Sequence, residues 1–216
     1  SGDCDPMSTI VFDWDGTLLD SRERHTALLQ DVCAQLDLPI TAAQLSAYLP
    51  AKCSGMSTMR YLTEYCGFSP AVAQSCAQQW VQEIETPPYL RMDHIYGDAH
   101  GILSELYGKG FTLALISARQ REDYLLCQVR EMGLSAFFHT ISCVTPEAAF
   151  EEKLKCAQQL PSIVCWAGDT EVDLYASREI GSPFYALDRG FRSRSFWKRQ
   201  GIISWSNLSA LPNVVL

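Results

Sequence analysis

Hydrophobic and polar positions follow two rhythms along this chain. Thr9-Ile10-Val11-Phe12 is a short β-prone run that ends in two carboxylates one residue apart, Asp13 and Asp15, before Gly16. Past Ser21 the period becomes helical. Glu23 to Leu38 reads as one helix, with Ala27, Leu28, Val32 and Leu36 near one face. Thr41, Ser57 and Ser69-Pro70 are predicted helix starts, and Pro87-Pro88 a stop. No strand is read between Ser21 and Pro88.

From Tyr96-Gly97 onward, apolar runs alternate with helical periods. Helices are predicted at Asp98 to Tyr107, Arg121 to Met132, Glu147 to Leu160 and Glu171 to Ile180. Strands are predicted at Phe111 to Ser117, His139 to Val144, Ile163 to Ala167, Pro183 to Leu187 and Gly201 to Ser204. That alternation specifies an α/β fold: a Rossmann-like parallel sheet with helices on both faces, plus an inserted all-helical block. The division is residues 1–20 and 90–216 for the core and 21–89 for the insertion. Ligands of such sheets lie beyond the carboxyl ends of the strands. Asp13, Ser117 and Asp169 all fall at predicted strand carboxyl ends.

Composition narrows the class. The 216 residues are 47% hydrophobic and 19% charged, enough apolar content for a sizeable core. A net charge of -8 argues against general nucleic-acid binding. The nine cysteines contain no C-x-x-C pair, so neither a disulfide framework nor a zinc site is expected. Buried thiols in a reducing cytoplasm are the expectation, with no membrane association, because the apolar runs are too short to span a bilayer. A monomer and a dimer are both compatible with the sequence.

The chemistry-bearing residues each admit two readings. Asp13 and Asp15 followed by Gly16 suit a cation, or a phosphate with its cation, and also an ordinary Asp-Gly turn. Asp169 after an apolar strand suits a metal ligand or a helix N-cap. Ser117 is a phosphate contact or a strand-end cap. Arg119 is read as solvated rather than as a grip on an anion. Arg189, Arg192, Arg194, Lys198 and Arg199 are read as a solvated helix face. None of the four histidines is given a role.

Asp13-Trp14-Asp15-Gly16-Thr17, with Gly168-Asp169-Thr170-Glu171-Val172-Asp173, resembles the motifs of the haloacid dehalogenase superfamily of aspartate-nucleophile phosphotransferases. The inserted helical block is similar to that superfamily's cap. The resemblance implies a Mg²⁺-dependent phosphatase of a small phosphorylated metabolite, phosphoglycolate-like. It implies Asp13 as nucleophile and Asp15 as acid and base. It further implies Mg²⁺ on the Asp13 carboxylate, the Asp15 carbonyl and Asp169, with Asp173 behind them. Ser117 matches the phosphate-binding position, although Ala118 stands where Asn or Gly is common. The superfamily's lysine usually opens the helix before the last acidic strand, where this chain has Glu147-Ala148. Lys153 is the expected substitute, ahead of Lys155. A phosphosugar mutase, a phosphonatase or a retired phosphate-binding protein are the alternatives.

Overall fold

The computed structural model describes residues 8–216; the first seven residues of the expected core segment lie outside them. The strands in chain order are β1 (Thr9–Phe12), β2 (Leu19–Asp20), β3 (His94–Ile95), β4 (Thr112–Ala118), β5 (Phe138–Val144), β6 (Ile163–Gly168), β7 (Phe184–Leu187) and β8 (Ser204–Trp205). Six of them form a sheet in the order β5-β4-β1-β6-β7-β8, parallel throughout.

β1 lies in the middle, and all four of its residues are buried. Its alternation decides which layer each side chain joins. Ile10 and Phe12 pack with Leu103, Leu106, Leu125 and Val129, from the helices Ala99–Gly108 and Glu122–Glu131. Val11 packs on the opposite face with Ala157 and Ala176, from the helices Ala149–Gln158 and Glu171–Glu179. Each of the larger side chains, Val, Leu, Ile and Phe, contributes about 1.5–3 kcal/mol of burial. The central strand is therefore anchored from both sides, and its carboxyl end is held rigidly.

Between β2 and β3 the chain is helical, with main helices at Arg22–Gln35, Ala42–Cys53 and Pro70–Glu83. Thr41 accepts from the Gln44 backbone N–H while the Gln44 side chain accepts from the Thr41 N–H, a complete capping box. Ser57 and Ser69 cap as expected. These helices gather around a second apolar cluster that includes Leu28, Val32, Tyr48, Tyr61 and Ala73.

Several boundaries differ from the sequence reading. The first helix ends at Gln35, and Leu36 is exposed. Pro87-Pro88 opens a short helix, Pro87–Leu90, because proline suits a helix's first turn. The antiparallel ribbon of β2 and β3 was not read; at two residues per strand it leaves no periodicity. The last strand is Ser204–Trp205, and a terminal helix, Leu211–Val215, follows it. The helix expected from Glu147 begins at Ala149, after a single 3₁₀ turn at Pro146–Ala148.

Candidate active site

The carboxyl ends of β1, β4 and β6 meet at one cleft of about 170 Å³, lined by Asp13, Asp15, Ala118, Lys153, Asp169 and Phe191. Asp13 follows β1 directly, and one of its oxygens, Oδ1, accepts from the Trp14 backbone N–H at 2.8 Å. The same oxygen accepts from Lys153 Nζ at 3.1 Å. Lys153 also donates to Asp173 Oδ1 at 2.9 Å, and Trp166 Nε1 donates to that oxygen at 3.1 Å.

The late start of the helix Ala149–Gln158 brings Lys153 here. Lys153 shares the face turned to the sheet with Ala157 and the partly buried Phe150. Lys155 is exposed. Burial opposes the charge on Lys153, but Asp13 and Asp173 outweigh it and hold its pKa above the ordinary lysine value.

Asp169 follows β6 and is wedged between two glycines. A Cβ on Gly16 would lie 2.0 Å from Asp169 Oδ2, and one on Gly190 would lie 2.4 Å from it. Gly16 also has φ +76°, a left-handed turn conformation. The Phe191 backbone N–H donates to Asp169 Oδ2 at 2.9 Å. Asp169 Oδ1 and Asp173 Oδ2 are buried without a partner. Oxygens of Asp13, Asp169 and Asp173 lie within 4.8 Å of one another. Burial, and then the neighbouring Asp13, push Asp169 well above the usual carboxylate range and Asp173 up to about 7. Three carboxylates thus face one ammonium, with two unpartnered oxygens left over. That donor set fits a hard divalent cation such as Mg²⁺. Ser117, at the end of β4, is buried and its hydroxyl has no partner, as an open contact for a ligand oxygen would be.

Asp15 belongs to a different network. Arg119 Nε and Nη2 donate to its two oxygens at 2.8 and 2.9 Å, and Arg24 Nη2 adds a third contact at 2.8 Å. Arg24 Nε also donates to Asp93 at 3.0 Å, and Gln128 Nε2 donates to Asp93 at 2.8 Å. Gln128 Oε1 accepts from Trp14 Nε1 at 2.9 Å and from Arg119 Nη2 at 3.0 Å, which closes the ring of contacts. Burial would raise the pKa of Asp15, but Arg119 and Arg24 outweigh it and hold the carboxyl well below its usual range.

Arg119 was expected in solvent; it is 3% exposed, because the end of β4 turns its side chain inward onto Asp15. Arg189 and Arg192 are not on a solvated helix face either. They precede the helix Arg194–Arg199 and pair with Asp98 and Glu171, whereas Arg194, Lys198 and Arg199 are exposed. Arg24, Asp93 and Gln128 escaped the sequence reading. Arg24 carried a signal: it lies four residues before Leu28, so a charge occupies the buried stripe of its helix.

The sequence profile of haloacid dehalogenase-like hydrolases matches residues 10–187, which include Asp13, Asp15, Ser117, Lys153, Asp169 and Asp173. The chain belongs to the haloacid dehalogenase-like hydrolase family. It is 24% identical over 200 residues to a phosphoglycolate phosphatase from Synechococcus elongatus, covering 87% of each chain. Its fold is shared with a haloacid dehalogenase-like hydrolase from Streptococcus pneumoniae: TM-score 0.73, 20% identity, 96% of this chain and 98% of that one. A haloacid dehalogenase-superfamily hydrolase from Geobacter sulfurreducens is similar as well: TM-score 0.66, 16% identity, 97% of each chain. No helix among the described residues is long and apolar enough to cross a membrane.

Proposed function

We propose that this hydrolase is a Mg²⁺-dependent phosphatase acting on a small phosphorylated metabolite of the phosphoglycolate kind, through an aspartyl-phosphate. The observation that carries the reading is the Asp13 carboxylate at the end of β1, with Lys153 Nζ at 3.1 Å and Asp169 and Asp173 grouped beside it. Phosphate monoesters resist hydrolysis because an anionic phosphoryl group repels nucleophiles and an alkoxide leaves poorly. Asp13 divides the reaction: its carboxylate attacks phosphorus, the ester P–O bond breaks, and water later cleaves the acyl phosphate. Ser117 Oγ donates a hydrogen bond to the phosphoryl group. Asp173 fixes Lys153, whose charge offsets the anions gathered at Asp13. Asp13, Asp169 and the Asp15 carbonyl would hold Mg²⁺, which supplies screening of the phosphoryl charge.

Asp15 protonates the leaving oxygen and then takes a proton from the attacking water. Its two arginines disfavour the protonated form. Turned away from them, the carboxyl loses the charges that depress its pKa and is free to carry the proton. Residues 21–89 act as the cap over a core of 1–20 and 90–216.

The test is phosphate release from p-nitrophenyl phosphate and from a panel of phosphorylated metabolites, with Mg²⁺ and with EDTA. Mg²⁺-dependent release, lost in Asp13→Asn, is the expected result. Release unaffected by EDTA, or retained in Asp13→Asn, would overturn the reading.

A further inference from the structure

A second cation, on the helical insertion, stands beside the cleft against Phe191, and nothing in the proposed hydrolysis uses it. Lys52 lies in the last turn of the helix Ala42–Cys53. Its Nζ is 5.6 Å from the ring centre of Phe191, 5.9 Å from that of Tyr48 and 6.0 Å from that of Trp80. That range is the outer edge of a cation–π contact, so it offsets little of the hydration the ammonium gives up. Among the described residues, Lys52 makes no ion pair. The neighbouring cations are all matched: Arg24 and Arg119 by Asp15, Lys153 by Asp13 and Asp173, Arg192 by Glu171.

The backbone around Lys52 is pinned to the core. Arg192 Nη1 donates to the Lys52 carbonyl at 3.1 Å, and the Ser193 N–H donates to the Cys53 carbonyl at 2.8 Å. Cys53 Sγ donates to the Gly190 carbonyl at 3.3 Å. This stretch, 190–193, also holds Asp169 through the Phe191 N–H. Phe191 both lines the catalytic cleft and forms one wall of the aromatic box around Lys52. One loop therefore registers the cap lysine against the catalytic carboxylates.

We propose that Lys52 is a specificity-determining residue whose ammonium receives a carboxylate on the organic part of the substrate. The proposal rests on the phosphatase reading and narrows it to small phosphate monoesters that carry one carboxylate. A carboxylate matches a single ammonium in charge. A second phosphoryl group would call for further donors, and the walls of the box are aromatic faces. His25 adds no second positive charge: its ring lies 4.5 Å from that of Phe191, and burial holds it neutral. Burial and the nearby Arg192 lower the pKa of Lys52 to about 8, so the amine is still protonated at neutral pH.

The test uses a matched pair of esters, 2-phosphoglycolate and ethyl phosphate, which differ by the carboxylate. The wild-type protein should prefer the first in kcat/KM. Lys52→Met keeps an unbranched side chain in the box. It should lose at least about tenfold on 2-phosphoglycolate, mainly through KM, and stay within about twofold on ethyl phosphate. Lys52→Arg should recover part of the loss. Equal loss on both esters, or no loss on 2-phosphoglycolate, overturns the proposal. A binding measurement separates this failure from failure of the phosphatase reading. By calorimetry in the Asp13→Asn background, 2-phosphoglycolate should bind at least about tenfold tighter than ethyl phosphate, and Lys52→Met should abolish that preference. Absence of turnover from every ester refutes the phosphatase reading alone. Absence of the binding preference refutes the role of Lys52.

Discussion

Arg119 grips both carboxylate oxygens of Asp15, with Nε 2.8 Å from Oδ2 and Nη2 2.9 Å from Oδ1. A two-point guanidinium–carboxylate contact is the strongest pairing geometry available to these groups, and lysine cannot reproduce it. Arg119→Met removes that contact and leaves Asp15 with Arg24 alone. We expect a loss of about 2 kcal/mol, because Asp15 is only partly shielded from water and keeps one partner. For a chain of this size that lowers Tm by about 5 °C. The pH dependence has a definite sign. The folded-state pKa of Asp15 is depressed, so its stabilisation is present above the unfolded value and fades as pH falls below about 4. Calorimetric scans should therefore show the gap between wild type and variant wide at neutral pH and narrowing on acidification. A gap that widens instead would refute the clamp.

Lys153 and Lys155 are two residues apart, but only Lys153 faces the carboxylates. Lys153→Ala should lose at least about tenfold in kcat/KM, about 1.4 kcal/mol. It removes the ammonium between Asp13 and Asp173, so Lys153→Arg is the control that keeps a cation in the cluster. Lys155→Ala should match wild type. Steady-state kinetics on the three variants decides the matter, and a larger loss in Lys155→Ala would refute the assignment.

How much of this was legible in the sequence depended on the range of the signal. Val11, Leu115 and Ala167 sit in runs that show their strands directly, because strands covered on both faces need apolar residues throughout. Thr41 with Gln44 announces a helix start through a contact three residues long. Asp13 and Asp169 could be paired because both end such strands. The network around Asp15 could not be read this way. Arg119 looks solvated when its neighbours in sequence are polar, and its partner lies 104 residues away. Asp93 meets Arg24 and Gln128 only after the helical segment has folded back through β2 and β3. Gly190 gave no signal, since its demand for a missing side chain arises from Asp169, not from its own turn.

Gly190 can be tested in its own right. A methyl group there would overlap Asp169 Oδ2 and the backbone of Gly16, at 2.4 and 2.6 Å. Backbone cannot step aside as a flexible side chain can, so Asp169 or the loop 190–193 must move. Gly190→Ala should reduce kcat by two orders of magnitude or more while circular dichroism stays native. It should also weaken Mg²⁺ binding. Activity within a few-fold of wild type would show that the close packing around Asp169 is not required.

The metal assignment makes a prediction that needs no turnover. Asp169 Oδ1 is buried and unpartnered, and it lies among carboxylates whose mutual repulsion a single ammonium offsets only in part. A divalent ion that binds only the folded chain stabilises it by about 2.7 kcal/mol at a hundred times its Kd. Mg²⁺ should therefore raise Tm by several degrees in the wild-type protein, and EDTA should reverse the shift. In Asp169→Ala the repulsion falls and the ligand is gone. That variant should start with a Tm equal to or above that of metal-free wild type, and it should gain little from Mg²⁺. A Lys155→Ala control should respond like wild type. Equal Mg²⁺ shifts in Asp169→Ala and wild type would place the ion elsewhere and remove Asp169 from its coordination.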